Sequence, residues 1–323
     1  MQRIFKSTAI FILVCVLLSN AAPVFAACPA ENLDRAIGRT ASYLQRAVWA
    51  PQVGSVGGEW TVFGLARSAR RVPALYFRRY LWAVEAHLRA NGGVLSESRF
   101  TEYSRVILAL TAAGFDPRNV AGVDLTLPLG DFERTVRQGV NGAVFALLAL
   151  DSAGYEIPAN PNATTQATRE MFVAEILRLQ FEDGGWGFAG EVSDIDITGM
   201  ALQALAKYLE NESVYAAVER ALDFLAESQN QDGGWGQNES VLESSVQVLV
   251  AFAELGIPLN YPRFVQNGNT VLDSVLGFQN SDGSFRREIN FAEGNLMSTE
   301  IAFYGLVAAQ RSANGKSSLY RMG

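Results

Sequence analysis

The chain has 323 residues, 49% of them hydrophobic and 18% charged, with a net charge of −7. That length can bury one large core or two modest ones, and the absence of low-complexity runs excludes a disordered chain. An acidic balance with no Lys/Arg-rich block argues against nucleic acid as a partner.

In chain order, the first element is a leader. Arg3 and Lys6 form a basic start, residues 9–18 an apolar run, and Val24, Phe25 and Ala26 a cleavage context, so residues 1–27 read as a signal peptide. The run is too short for a comfortable membrane span. Export is therefore expected, with the protein secreted or anchored at the outer face of the cell membrane. Removing Arg3 and Lys6 takes the net charge from −7 to about −9. Cys15 leaves with the leader, and Cys28, then the sole cysteine, can form no intrachain disulfide. Phe25-Ala26-Ala27-Cys28 resembles a lipobox, except that Phe25 stands where Leu, Val or Ile is usual. Two readings stay open: a lipid on Cys28, which would be the chain's only membrane contact, or a chance cysteine beside a simple cleavage site.

Residues 28–323 read as one domain of about six helical hairpins. Amphipathic segments at 33–48, 75–90, 132–138, 166–179, 214–228 and 271–278 alternate with nearly all-apolar ones at 60–67, 103–114, 142–154, 197–208, 244–255 and 297–310. Within 214–228, Val214, Val218, Leu222 and Leu225 recur every three or four residues. A helix apolar all round must be buried, whereas one with a polar face can line solvent. Six of each, alternating, are satisfied by an inner ring inside an outer ring. The expectation is an all-α, α6/α6 toroid. Longer interruptions at 115–131 and 155–165 carry Gly, Pro and Asn, but neither half alone would close its inner helices away from water.

The joints between segments repeat: QFEDGGWG at 180–187, QNQDGGWG at 229–236 and QNSDGSF at 279–285, spaced 49 and 50 residues apart. The repeated residues are Gln180, Asp183, Gly184, Gly185 and Trp186, then Gln229, Asp232, Gly233, Gly234 and Trp235, then Gln279, Asp282, Gly283 and Phe285. Physically, both glycines of a pair can take positive φ, the aspartates can bond their own turn, and the glutamines can reach the free N–H groups of the next helix. The tryptophans can fold back over the helix ends as staples.

These Q-x-x-D-G-G-W-G turns resemble the QW repeats of the terpenoid cyclase and protein prenyltransferase superfamily. That superfamily includes squalene–hopene cyclases, prenyltransferase β subunits, complement thioester domains and the toroid domains of the cobalamin carriers transcobalamin and intrinsic factor. GGEWTVFGLARS, FTEYSRVILALTAAG and DIDITGMALQALAKY are similar to exported bacterial prenyltransferase and squalene oxidase repeat proteins. The resemblance implies the fold and leaves the activity open, since enzymes, covalent traps and carriers share it.

Candidate chemistry lies at the inner-helix starts, which a closed ring would gather at one mouth. Glu59, Trp60, Glu102, Tyr103, Arg105, Asn141, Thr198, Glu243, Ser244, Ser245, Ser298 and Glu300 stand there, with Asp194 and Asp196. Acids and hydroxyls at such positions also serve as caps.

Of the activities the resemblance implies, prenyl transfer needs zinc held by Asp, Cys and His. Here Cys28 is terminal and His87, the sole histidine, falls on an outer segment, so no metal or cofactor is expected. The Cys-Gly-Glu-Gln run of thioester domains is absent. Class II cyclases protonate an alkene with the middle Asp of D-x-D-D. Asp196 matches that position and Asp194 the first Asp, but Ile197 replaces the last, removing part of the charge pattern that activates the acid.

The favoured expectation is an exported, non-catalytic protein binding a small molecule, glycan or peptide at the ring's mouth. The alternative is a divergent class II cyclase using Asp196. A glycoside hydrolase or lyase on the same toroid, with Glu102 and Asp196 or Asp196 and Glu243 as its carboxylates, is a third reading.

Overall fold

A computed structural model describes residues 30–188, 192–316 and 318–322. The leader and the lipidation candidate Cys28 lie outside the described residues. The helices are α1 (Ala30–Ala47), α2 (Trp60–Arg67), α3 (Ala74–Ala90), α4 (Phe100–Ala112), α5 (Phe132–Thr135), α6 (Val140–Asp151), α7 (Arg169–Arg178), α8 (Ile195–Leu205), α9 (Glu212–Glu227), α10 (Leu242–Leu255), α11 (Val271–Gly277) and α12 (Leu296–Ala313). Several starts are marked by residue chemistry. Thr168, Asp194, Asn211, Thr270 and Asn295 each accept a first-turn backbone N–H that has no partner within its helix.

The even-numbered helices pack in the order α2, α4, α6, α8, α10, α12, and α12 returns to α2, closing the ring. Outside it, α1 packs on α12, α7 on α6, α9 on α8 and α11 on α10. The division follows from side chains. Every residue of α10 from Ser245 to Phe252 is buried, whereas α9 buries only the stripe Val214, Ala217, Val218, Ala221, Leu222 and Leu225. The all-α toroid is thus formed as the alternation implies. No helix among the described residues is long and apolar enough to cross a membrane.

The three repeated turns tie α7 to α8, α9 to α10 and α11 to α12. Trp186 and Trp235 are fully buried and donate their indole N–H to Ile176 and Leu225 carbonyls, at 2.7 and 2.8 Å, near the ends of the preceding outer helices. Their backbone N–H groups meet Thr198 Oγ1 at 2.9 Å and Ser245 Oγ at 3.0 Å in the next inner helix. Phe285 repeats this with Thr299 Oγ1 at 2.8 Å.

The glutamines differ from expectation. Each amide donates to oxygen acceptors instead of receiving helix N–H groups: Gln180 to Gly184 and Ala217 carbonyls, Gln229 to Gly233 and Phe264 carbonyls, and Gln279 to the Ala36 carbonyl and Thr40 Oγ1. Ala217, Phe264 and Ala36 belong to the next outer layer, whose carbonyls face the turn, so the amide nitrogen is the end that finds partners.

The glycine pair also divides its work. Only the first glycine has positive φ, at 91°, 87° and 95° for Gly184, Gly233 and Gly283. The second is required by crowding, since a Cβ on Gly185 would lie 2.3 Å from Ser193 Oγ, and one on Gly234 2.6 Å from Ser240 Oγ. The third turn inverts the arrangement. Ser284 occupies the second position, and Gly294, not serine, precedes the cap Asn295; a Cβ there would lie 2.1 Å from Ser284 Oγ. In every turn one hydroxyl reaches the aspartate: Ser193 to Asp183 at 2.6 Å, Ser240 to Asp232 at 2.6 Å and Ser284 to Asp282 at 2.7 Å.

Candidate active site

Each inner helix follows an outer one, α8, α10 and α12 through the repeated turns, so their N-termini gather on one face of the ring. Two carboxylate groups form there, above an aromatic floor.

The first group is built on α8 and α10. Asp194 caps α8, accepting the Ile197 N–H at 3.0 Å, and is exposed. Asp196, in the first turn, takes no part in the cap and instead accepts the Ser244 hydroxyl. Burial pushes its carboxyl up to about 6; the Ser244 hydroxyl opposes this, Asp194 and Glu243 add to it, and Arg287 opposes it. Glu243 is buried, with Oε1 accepting Ser298 Oγ–H at 2.5 Å and Oε2 without a partner. A neighbouring helix thereby supplies a negative charge that Ile197 cannot. From the sequence, Asp196 with Glu243 is one of two possible carboxylate pairs, since Glu243 lies on the next hairpin and spacing gives no distance.

The second group joins α2 and α12. Glu59 Oε1 accepts the Gly54 N–H at 2.8 Å and the Tyr80 hydroxyl at 3.0 Å, while Arg105 Nε lies 3.7 Å from Oε2. Burial raises its carboxyl despite these bonds. Glu300 is fully buried, accepts from Gly57 N–H at 2.9 Å and from the Thr61 hydroxyl, and leaves Oε2 without a partner. Burial lifts it to about 7, with the Glu59 charge adding to the shift. The same two acids pin the 54–59 turn that precedes α2. Tyr80, Thr61 and Tyr76, whose hydroxyl is raised by burial and by the Glu300 charge, are missing from the sequence-based candidates. Tyr76 and Tyr80 are one helical turn apart on an outer segment, a spacing that signals packing as readily as chemistry.

Beneath these groups, Trp60 meets Phe145 at 6.0 Å and Tyr304 at 5.3 Å between ring centroids, joining α2, α6 and α12 across the axis. Tyr304 is buried, and its hydroxyl is raised mainly by burial and further by Asp196 and Glu243. Tyr304 sits one turn after Glu300, so the i,i+4 rule could have found it.

The remaining candidates are placed differently. Thr198 and Ser245 latch the tryptophan turns. Tyr103 is buried, its hydroxyl accepting the Leu95 N–H at 3.1 Å, so it fastens its own entry loop. Glu102 is half-buried and pairs with Arg99 at 2.6 Å. Asn141 Oδ1 is buried without a partner, and Arg105 donates to Thr101 Oγ1 at 3.4 Å. Among the described residues, no three His, Cys, Asp or Glu side chains converge as metal ligands.

The fold and the repeated turns define an α/α toroid, and residues 111–250 match the squalene-hopene cyclase C-terminal domain. Two drimenyl diphosphate synthases are similar: that of Streptantibioticus cattleyicolor, 31% identical over 49% of this chain and 31% of its own length, and that of Streptomyces showdoensis, 32% identical over 45% and 29%. The chain thus spans about a third of the curated relatives it matches. Among solved structures, the type II terpene cyclase MstE from Scytonema shares the fold. One form, in complex with geranylgeranyl dihydroxybenzoate, has a TM-score of 0.57 at 13% identity over 88% of this chain and 99% of that one. The apo form has 0.54 at 14%, over 88% and 99%. The fold is thus shared with type II terpene cyclases, and the likeness to the squalene-hopene cyclase domain covers 140 of the 323 residues.

These relatives overturn the expectation of a non-catalytic ligand carrier. They are named as synthases and cyclases, which favours the class II cyclase alternative.

Proposed function

We propose that the chain is a class II terpenoid cyclase in which Asp196 is the general acid. The observation that carries this reading is Asp196 itself: a largely buried carboxyl in the first turn of an inner helix, relieved of capping by Asp194 and pushed up to about 6 beside Glu243 and Asp194. A carboxyl of that kind keeps a proton available near neutral pH. Its O–H adds that proton to the terminal double bond of a linear prenyl chain, leaving a carboxylate on Asp196 and a tertiary cation on the substrate. The next double bond closes a ring onto the cation, and loss of a proton from the last cation restores the balance, so the net reaction is an isomerisation. The faces of Trp60 and Tyr304 would stabilise the migrating charge.

The test is incubation of the purified chain with a linear prenyl diphosphate and with geranylgeranyl dihydroxybenzoate, followed by mass-spectrometric analysis of products. Cyclised product from the wild-type chain and none from Asp196→Asn supports the reading. No product from either substrate, or product that survives Asp196→Asn, overturns it.

A further inference from the structure

The end of the ring opposite the carboxylates is closed by the chain's own tail. Residues 318–322 turn back beneath the inner helices, burying Leu319 and Tyr320. Arg67 of α2 donates to the Leu319 carbonyl at 2.7 Å, the Ser318 carbonyl at 2.8 Å and the Arg321 carbonyl at 3.2 Å. Glu254 of α10 accepts the Leu319 N–H at 2.7 Å and the Ser318 hydroxyl. The Met322 N–H donates to the Ser152 carbonyl at 2.6 Å, just past α6. Surface tails are not held in this way, and the clamp draws on three different inner helices.

Tyr320 reaches the axis. Its ring stacks on Phe63 of α2 at 5.5 Å and 22°, while its hydroxyl donates to Gln203 Oε1 of α8 at 2.7 Å. Helices α2 and α8 face each other across the ring, so a side chain touching both lies in the lumen. Phe63 in turn meets Trp60 edge to face at 6.1 Å, so Trp60, Phe63 and Tyr320 form a continuous line of aromatic contacts from mouth to base. A second path runs beside this column. Gln203 donates to Gln247 Oε1 at 2.9 Å, and Gln247 donates to the Tyr304 hydroxyl at 2.7 Å. Tyr304 belongs to the floor under Asp196. All four side chains are buried, so each hydrogen bond is costly to leave unmade.

We propose that the tail is a plug whose Tyr320 sets how long a prenyl chain the ring accepts and positions Tyr304 beneath the acid. This rests on the cyclase reading. Tyr320 is a positioning residue, acting through Phe63 and through Gln203 and Gln247. Its aromatic ring occupies the volume into which a longer chain would extend, and its hydroxyl orients the two amides.

The test measures equilibrium binding of farnesol, geranylgeraniol and hexaprenol by calorimetry, with no turnover required. Tyr320→Ala, and Tyr320→Leu as a variant that keeps an apolar anchor for folding, should move the preference toward hexaprenol by about tenfold relative to farnesol, since each added buried methylene favours binding. Tyr320→Phe keeps the stacked ring and should keep the wild-type length preference. It should lower kcat with KM unchanged, because only the bonds that orient Tyr304 are lost. A length profile that is measurable but the same in the wild-type chain, Tyr320→Ala and Tyr320→Leu, with cooperative melting intact, overturns the plug while leaving the cyclase reading standing. Absence of prenyl binding by the wild-type chain overturns both.

Discussion

Gln279, in the last repeated turn, donates its side-chain amide to Thr40 Oγ1 in α1 at 2.8 Å, across 239 residues of sequence. The same nitrogen reaches the Ala36 carbonyl at 3.0 Å. Gln180 and Gln229 make the equivalent bond to the next unit along the chain; for Gln279 the next unit is the first, so this residue fastens the ring shut. Gln279→Ala should lower unfolding free energy by about 1 kcal/mol, because the buried Thr40 hydroxyl and the Ala36 carbonyl both lose the amide donor while keeping their bond to each other at 3.0 Å. Urea denaturation checks this. An unchanged midpoint would mean that helix packing alone closes the ring.

The exchange of Gly185 with Ser193 for Ser284 with Gly294 supports a compensation experiment. Gly185→Ser alone places its Cβ 2.3 Å from Ser193 Oγ, and overpacking of that kind costs about 1–3 kcal/mol. Adding Ser193→Gly reproduces the third turn, with the new hydroxyl free to meet Asp183. The double variant should recover most of the loss in thermal melts. Additive losses would refute the equivalence of the two turns.

Asp194 and Asp196 should separate cleanly. Asp194→Ala removes a helix cap and should cost about 1 kcal/mol of stability. Asp194→Asn preserves the cap and should melt near the wild type. Asp196→Asn should abolish cyclisation with little change in melting, since its side chain caps nothing. Paired product assays and melts on these variants show whether the two residues divide the work in this way.

The proposed acid catalysis by Asp196 fixes the direction of the pH dependence. The carboxyl is raised from 3.8 to about 6, and only its protonated form donates. Single-turnover cyclisation should therefore be fastest below pH 6 and fall as pH rises, with about half the acid form left at pH 6 and about a tenth at pH 7. A rate that increases through this range would assign the proton to another group.

Glu300 carries a stability signature of the same sign. Its carboxyl is raised from 4.5 to about 7, so the fold binds its proton more tightly than the unfolded chain does. That contribution is fully present below about pH 4.5 and is lost as pH climbs through about 7, amounting to about 3 kcal/mol over the range. Glu300→Gln, permanently neutral and able to accept from Gly57 and Thr61, should be more stable than the wild type at pH 8, with the gap closing toward pH 4.5. Denaturation at both pH values measures it.

The ring was legible in the residue pattern alone. Alternation of one-faced and all-apolar helical periods leaves no other way to bury six apolar helices, and three turns spaced 49 and 50 residues apart mark its joints. The sequence also placed Asp196 and Glu243 at inner-helix starts, because a first turn is a local property. What it could not decide is which of the possible starts meet. Glu243 beside Asp196, Glu300 beside Glu59, and the division of Asp194 as cap from Asp196 as acid depend on side-chain directions and on neighbours about 50 residues away. The direction of the turn glutamines was misread for the same reason: an amide has a donor end and an acceptor end, and only the carbonyls of the next outer layer decide which is used. The tail's return to the axis left no periodic trace, because a single Tyr320 between two helices on opposite sides of a ring has no repeat to announce it.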